Sequence, residues 1–218
     1  MMAEINLLDR LPVTKRDPKA RAAGKTEEDR RIARQFGRDF FDGDRRHGYG
    51  GYRYDGRWLP VARRFVEHYR LGPEASILDV GAGKGFLMYD FLQVLPKAEV
   101  CGLDVSRYAI ENAHGGMGER IQLGSAETLP YPDQSFDLVV SINSIHNLKL
   151  DELKQALREI ERVSRGHKFI SVDAWRTEEE RQRLMDWILT AETYMHVDEW
   201  HRIFAEVGYT GDVWWFIP

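Results

Sequence analysis

Cysteine is almost missing from this chain. Cys101 stands alone among 218 residues, which excludes an internal disulfide and a multi-cysteine metal cluster. Long apolar runs are missing too. None approaches the roughly 18 residues that a membrane span requires, and the opening "MMAEINLLDRLPVTKRDPKAR" has no apolar core of a secretory signal. No zinc-ligand spacing, internal repeat or G-x-x-x-x-G-K-[ST] phosphate loop occurs. The expectation is a cytoplasmic chain with no membrane partner and no bound metal.

What is present suits a single α/β core. Hydrophobic residues make up 43% and charged residues 30%, the balance of a globular protein rather than a disordered one. The charge is unevenly spread. Residues 1–64 carry 16 Lys/Arg against 10 Asp/Glu, and the remainder carries 15 against 25. The basic portion would suit an acidic or phosphorylated partner; the plainer reading is a solvated helical surface.

Residues 1–25 show scattered charge, two prolines and little apolar periodicity, and read as a loosely ordered arm. Thr26 followed by "EEDRRIARQF" predicts an N-capped helix with acids in its first turn. The stretch from Phe40 to Trp58, rich in glycine and aromatics, is too irregular for a helix. "LPVARRFVEHYRL" resumes helical spacing, with Val61, Phe65, Val66 and Tyr69 on one face. From residue 76 strands and helices alternate: "SILDVG", "AEVCGLDV", "RIQLGS", "FDLVVSIN" and "HKFISVDAW" read as strands. "FLMYDFLQVL", "SRYAIENA", "LDELKQALREIERVS", "TEEERQRLMDWILTAETY" and "VDEWHRIFAEVG" read as helices, and "YTGDVWWFIP" as a last strand. Apolar β-branched strands between amphipathic helices predict a doubly wound, mostly parallel sheet with helices on both faces. The division expected is an N-terminal arm, helix and lid over residues 1–58 and the sheet domain over 59–218.

In such a sheet, ligands bind beyond the carboxyl ends of the central strands. The first strand runs into "DVGAGKGF", with Asp79, Gly81, Gly83 and Gly85. Glycines permit a sharp turn and a close approach, and the following helix offers free N–H groups to an anion. The turn is one residue short of G-x-G-x-x-G, because Phe86 occupies the slot of the third glycine. The second strand ends at Asp104, 19 residues after Gly85. An acid there can take both ribose hydroxyls of either a dinucleotide or an adenosyl ligand; otherwise it caps the helix after Ser106.

Taken together and in order, "ILDVGAGKGF", "CGLDVS", "GSAETLPYPDQSFDLVVSINSIHNL" and "LREIERVSRGHKFISVD" resemble the class I S-adenosylmethionine-dependent methyltransferases over about residues 60–210. The resemblance implies a Rossmann-like sheet of seven strands, or six where the final hairpin is incomplete, and S-adenosyl-L-methionine as cofactor, with S-adenosyl-L-homocysteine as product. It implies that Gly81, Gly83 and Gly85 cradle the amino-acid part of the cofactor, with Asp79 near its ammonium. Asp104 would bind the ribose and Val105 would pack on the adenine. Ala126 would read the adenine edge together with Ser125 or Glu127, and Ser141 and Asn143 would line the methionine end. His146 is a candidate base, or else a packing histidine. Tyr49 and Tyr52 in the aromatic stretch would cover the sulfonium by cation–π contact, or would simply dock a surface loop.

No [DNS]-P-P-[YFW] motif is present, which argues against amide or adenine-amine acceptors of that type. The acidic core argues against nucleic acid. A small metabolite with an O, N or C acceptor is expected. Arg45, Arg46, Arg53 and Arg57 would suit a carboxylate, a phosphate or a sugar nucleotide. A non-catalytic cofactor-binding regulator and a nicotinamide-dependent oxidoreductase are the alternatives. Members of the family usually end in an antiparallel hairpin, and here only one terminal strand is visible. Either the sheet is one strand short or a partner covers its edge. Trp214, Trp215 and Phe216, read as exposed, would then suit a homodimer contact.

Overall fold

The strand β1 (Ser76–Val80) is buried at all five positions, as only a strand covered on both faces can be. Ile77 points to one side and Leu78 to the other, into two separate apolar clusters. In the computed structural model, which describes residues 2–12 and 17–218, β1 is the centre of a seven-stranded sheet. The other strands are β2 (Glu99–Asp104), β3 (Ile121–Leu123), β4 (Phe136–Ile142), β5 (Ser164–Trp175), β6 (Met195–His196) and β7 (Asp212–Phe216). Their order is β3-β2-β1-β4-β5, with β6 and β7 both pairing β5, and every pair is parallel. The order reverses between β1 and β4, which opens a crevice at their carboxyl ends.

Helices cover both faces. Before the sheet come α1 (Pro18–Ala22), α2 (Glu27–Ala33), α3 (Arg38–Asp42) and α4 (Leu59–Tyr69). Within it lie α5 (Phe86–Val94), α6 (Arg107–Glu111), α7 (Leu150–Val163), α8 (Glu178–Trp187) and α9 (Val197–Val207). Helices α4 and α5 pack Val61, Phe65, Met88 and Phe91 against Ile77, Val140 and Phe169. On the other face α7 buries Leu153, Leu157, Ile160 and Val163, and α9 adds Trp200 and Phe204. Helix α2 starts as its sequence predicts: the Thr26 side chain accepts from Asp29 N–H, and the Asp29 carboxylate accepts from Thr26 N–H.

The arm differs from expectation. Met1 and residues 13–16 lie outside the described residues, but residues 2–12 are not loose. Leu7 is fully buried against the α4 side of the sheet. Ile5 N–H donates to Val213 O and Val213 N–H to Ala3 O, both at 2.9 Å, so the arm runs along the outer edge of β7. Short helices α1 and α3 also form where none was read. The predicted helix after β5 stops at Trp187 rather than near Tyr194.

The terminal strands also correct a reading. No antiparallel hairpin closes the described sheet. The chain returns from β5 through α8, β6 and α9, and a helical crossover brings it back parallel. The edge so left is met by the chain's own residues 3–5. Trp215 is 3% exposed, and Trp214 and Phe216 are half-buried. Of the aromatics that motivated a homodimer contact, Trp215 is therefore in the core, and Trp214 and Phe216 pack partly against it, because parallel β7 lies between β5 and the arm.

Leu7→Ala should destabilise the protein by about 2–5 kcal/mol, the cost of emptying a filled core site, as read from chemical denaturation. A loss below about 0.5 kcal/mol, the usual scale for a surface site, would mean that the arm is not part of the core.

Candidate active site

Beyond the carboxyl ends of β1, β2 and β4 lies a cavity of about 960 Å³, at the upper end of the roughly 300–1,000 Å³ typical of small-molecule sites. From the sheet side, Asp79, Gly81, Gly83, Asp104, Val105, Ser125, Ala126 and Asn143 line it. Tyr49 and Tyr52 line it from the N-terminal side. Gly85, Glu127, Ser141 and His146 are not among its lining residues.

The glycine turn needs glycine for two reasons that the spacing alone did not separate. Gly81 has φ +86, and a Cβ there would fall 1.9 Å from Ser144 Oγ, so the loop after β4 crosses directly over it. Gly83 has φ +55, and its Cβ would meet only the rings of Phe41 and Tyr52, at 3.6 Å. Both φ values lie in the left-handed region that disfavours side chains. Gly85 begins α5 and faces Met117 and Ile121 instead of the cavity.

Two carboxylates are buried at this end. Asp104 is 8% exposed; its Oδ2 accepts from Gly83 N–H at 2.7 Å and its Oδ1 from Ser106 N–H at 2.8 Å. Burial raises its pKa, and those N–H groups oppose the rise. Asp79 is 5% exposed. Its pKa is pushed up to about 7, first by burial and then by the charge of Asp104. Val105, beside them, is an apolar residue left 52% exposed at the cavity.

His146 lies behind the cavity wall. It is 5% exposed, its Nδ1 accepts from Asp173 N–H at 3.1 Å, and its carbonyl accepts from Glu192 and Thr193 N–H. Nδ1 as acceptor places the ring proton on Nε2. Burial lowers the pKa, with the charge of Asp173, 3.5 Å from Nδ1, opposing. His146 ties the β4 loop to β5 and to the segment after α8. Ser141 is fully buried within β4, where a central parallel strand has both faces covered. Glu127 accepts from Ser125 Oγ at 2.7 Å. Asn143 lines the cavity in a left-handed conformation (φ +51), with its Oδ1 accepting from Ser171 Oγ.

The aromatic stretch is anchored to the glycine turn by residues that sequence reasoning passed over. Lys84, inside "GAGKG" and 7% exposed, donates to Asp42 Oδ2 at 2.5 Å and to Tyr52 O at 3.1 Å. Tyr108 OH and Tyr52 N–H also donate to Asp42. Burial alone would raise the Asp42 pKa, but these hydrogen bonds outweigh it and hold the carboxyl below its usual range. Tyr52 stacks on Phe86 at 4.5 Å and meets Tyr49 in a tilted contact at 4.2 Å. A lysine inside a glycine turn was the available signal; its partner lies 42 residues upstream, which no local pattern reveals.

Six cations of the N-terminal segment also line the cavity. Arg21 and Lys25 reach it from α1 and the loop after it, and Arg45, Arg46, Arg53 and Arg57 reach it from the segment after α3. Asn147, after β4, also lines it and holds a buried Oδ1 with no partner among the described residues. Among those residues no group of three or more His, Cys, Asp or Glu is arranged to hold a metal, and no helix is long and apolar enough to cross a membrane.

Residues 78–172 match the family model described as "Methyltransferase domain". The chain is 34% identical over 128 residues to a demethylmenaquinone methyltransferase of Symbiobacterium thermophilum, covering 55% of this chain and 50% of that protein. It is 30% identical over 146 residues to a tRNA (carboxymethyluridine(34)-5-O)-methyltransferase of Arabidopsis thaliana, covering 66% of this chain and 34% of that one. The crystal structure of the YcgJ protein of Bacillus subtilis shares the fold, with a TM-score of 0.55 at 24% identity, covering 67% of this chain and 66% of that one. The chain thus spans half or less of the length of these two curated relatives.

The Asp79 shift has a stability consequence. The unfolded chain releases this proton near the ordinary carboxyl value, the folded chain near 7. Stability should therefore fall as pH rises between those values, by at most about 1.4 kcal/mol per pH unit. Urea denaturation across that interval should show the fall in the wild type and its loss in Asp79→Asn, which should be the more stable protein above neutral pH.

Proposed function

We propose, for a chain whose residues 78–172 match a methyltransferase domain and whose fold is shared by the YcgJ protein, that it is a class I methyltransferase transferring a methyl group from S-adenosylmethionine to a small molecule. The observation that carries this reading is the pair of buried carboxylates beside the glycine turn. Asp79 has no hydrogen-bond donor among the described residues and is short of a cation, which an α-ammonium group supplies. Each Asp104 oxygen accepts one backbone N–H and keeps lone pairs for two ribose hydroxyls. Exposed Val105 offers an apolar surface for a base. A nicotinamide dinucleotide fits less well: its pyrophosphate would meet two carboxylates at the turn where a diphosphate needs positive potential.

When bound, S-adenosylmethionine supplies a methyl group made electrophilic by its sulfonium. The chain's own part is positioning. Asp79 and the turn at Gly81 and Gly83 hold the amino-acid end, and Asp104 fixes the ribose. Tyr49, 47% exposed, and half-buried Tyr52 line the cavity and cover the reacting region in this reading. His146 acts in this reading by holding the β4 loop, since its Nδ1 is engaged and it does not line the cavity. The relatives are named for acceptors as different as demethylmenaquinone and a tRNA uridine. The small-molecule reading rests on the N-terminal segment, which lines one part of the cavity with Phe40, Phe41, Tyr49 and Tyr52.

Calorimetry should show S-adenosylhomocysteine binding and no binding of NADH; the reverse would sink the proposal. Asp104→Ala should weaken S-adenosylhomocysteine by at least tenfold, since hydrogen bonds to a charged group are worth about 1.5–3 kcal/mol each. A mass-spectrometric screen of metabolites for gain of one methyl group would identify the acceptor. With that acceptor in hand, His146→Gln should lower thermal stability and leave the pH profile of turnover unchanged. A profile that loses a limb would make His146 a base.

A further inference from the structure

The cavity has two electrical ends, and cofactor binding accounts for only one. The acidic end lies at β1 and β2. The basic end lies across the sheet order, beside the loop after β4 and the end of α8. There Arg21 Nε donates to Trp187 O at 3.0 Å, and its guanidinium stacks 4.6 Å from the centre of the Trp187 ring. Lys25 Nζ donates to the carbonyls of Asp186 and Ile188. Arg45 donates to Gly48 O. These bonds fix the side chains but neutralise nothing. Among the described residues no carboxylate forms an ion pair with Arg21, Lys25 or Arg45, whereas Arg46 is paired with Asp44 and Arg57 with Asp55. Asp17, the one acid lining that side, is occupied in capping α1.

The cost of this arrangement shows in the cations themselves. Arg21 is pushed down to about 10, first by burial and then by the charge on Arg45. Lys25 is pushed down to about 8 by burial and then by Arg21 and Arg30, with Asp186 opposing. Arg21 and Lys25 are half-buried and Arg45 is exposed beside them; such like charges, with only Asp186 opposing at Lys25, are unfavourable together unless something anionic joins them. The stacked, immobilised guanidinium of Arg21 keeps its two terminal nitrogens free of partners among the described residues, in the planar geometry that matches a carboxylate or phosphate.

We propose that the methyl acceptor is a small anion whose carboxylate or phosphate group is bound by Arg21 and Arg45, with Lys25 beside them, at the end of the cavity away from Asp79 and Asp104. This rests on the methyltransferase reading for the identity of the other occupant. Two observations favour a small molecule over a nucleic-acid strand: Arg21 and Lys25 are half-buried, beside exposed Arg45, and the chain outside the N-terminal segment is net acidic.

The test is calorimetry on the whole chain saturated with S-adenosylhomocysteine, titrated separately with inorganic phosphate and with succinate. Saturable binding of one probe is expected, and the probe that binds distinguishes phosphate from carboxylate. The Kd should rise at least tenfold in Arg21→Gln/Arg45→Gln and stay unchanged in Arg63→Gln, a surface change of the same charge type. If the double variant misfolds, Arg45→Gln alone should still weaken the probe several-fold, since its side chain holds only one loop carbonyl. No binding of either probe in the millimolar range would overturn the proposal, as would equal weakening in Arg63→Gln. Binding of an RNA stem-loop through Arg21 and Arg45, with neither small anion bound, would replace it by an RNA acceptor. S-adenosylhomocysteine is read in a separate titration. Its failure to bind, with the probe still bound through the arginines, would remove the cofactor reading and leave the anion site; the converse would remove only the anion site.

Discussion

Asp79 and Asp104 end adjacent parallel strands, and the register that pairs Asp79 with Gly102 leaves their carboxyl groups at the same edge of the sheet. Each is less than a tenth exposed. Burying two such groups together costs stability, and the cost appears in the raised pKa of Asp79. A fold selected for stability alone would not keep this arrangement; a site for a cation and a pair of hydroxyls would. The glycine turn, the crossing of Ser144 over Gly81, and the covering of Gly83 by Phe41 and Tyr52 all serve to hold backbone close around those carboxylates.

Charge is handled in opposite ways on the two sides of the turn. Lys84 is buried but paired, and its bond to Asp42 closes the N-terminal segment onto the sheet. Asp42 in turn receives Tyr52 N–H and Tyr108 OH, so one carboxylate joins α3, the aromatic stretch, the glycine turn and α6. Arg21, Lys25 and Arg45, which also line the cavity, are held by carbonyl groups instead. A helix C-terminus presents unsatisfied carbonyls and a partial negative charge, and Arg21, Lys25 and Arg30 all donate to the end of α8. These bonds sit where the helix stops at Trp187, although its sequence continues "ILTAETY".

The sequence by itself determined the sheet, its parallel strands and the covering helices, because continuous β-branched runs and 3.6-residue apolar periodicity are local signals that burial on both faces enforces. It also carried Asp79, Gly81, Gly83, Asp104 and Val105, since these stand at strand ends, where topology dictates that a crevice must open. Only the tertiary structure decided which residues share the cavity. His146 and Ser141 sit at promising sequence positions, yet neither lines it, because side-chain direction at a strand end depends on what packs behind it. Residues 2–12 look unpatterned, yet Leu7 is in the core and Ala3 to Ile5 complete an edge, because edge pairing uses backbone groups that every residue has. The contacts Asp42–Lys84, Arg21–Trp187 and Lys25–Ile188 join residues 42 to 166 positions apart. No window of sequence contains such pairs, so the division of the cavity into an acidic and a basic end exists only once the chain has folded.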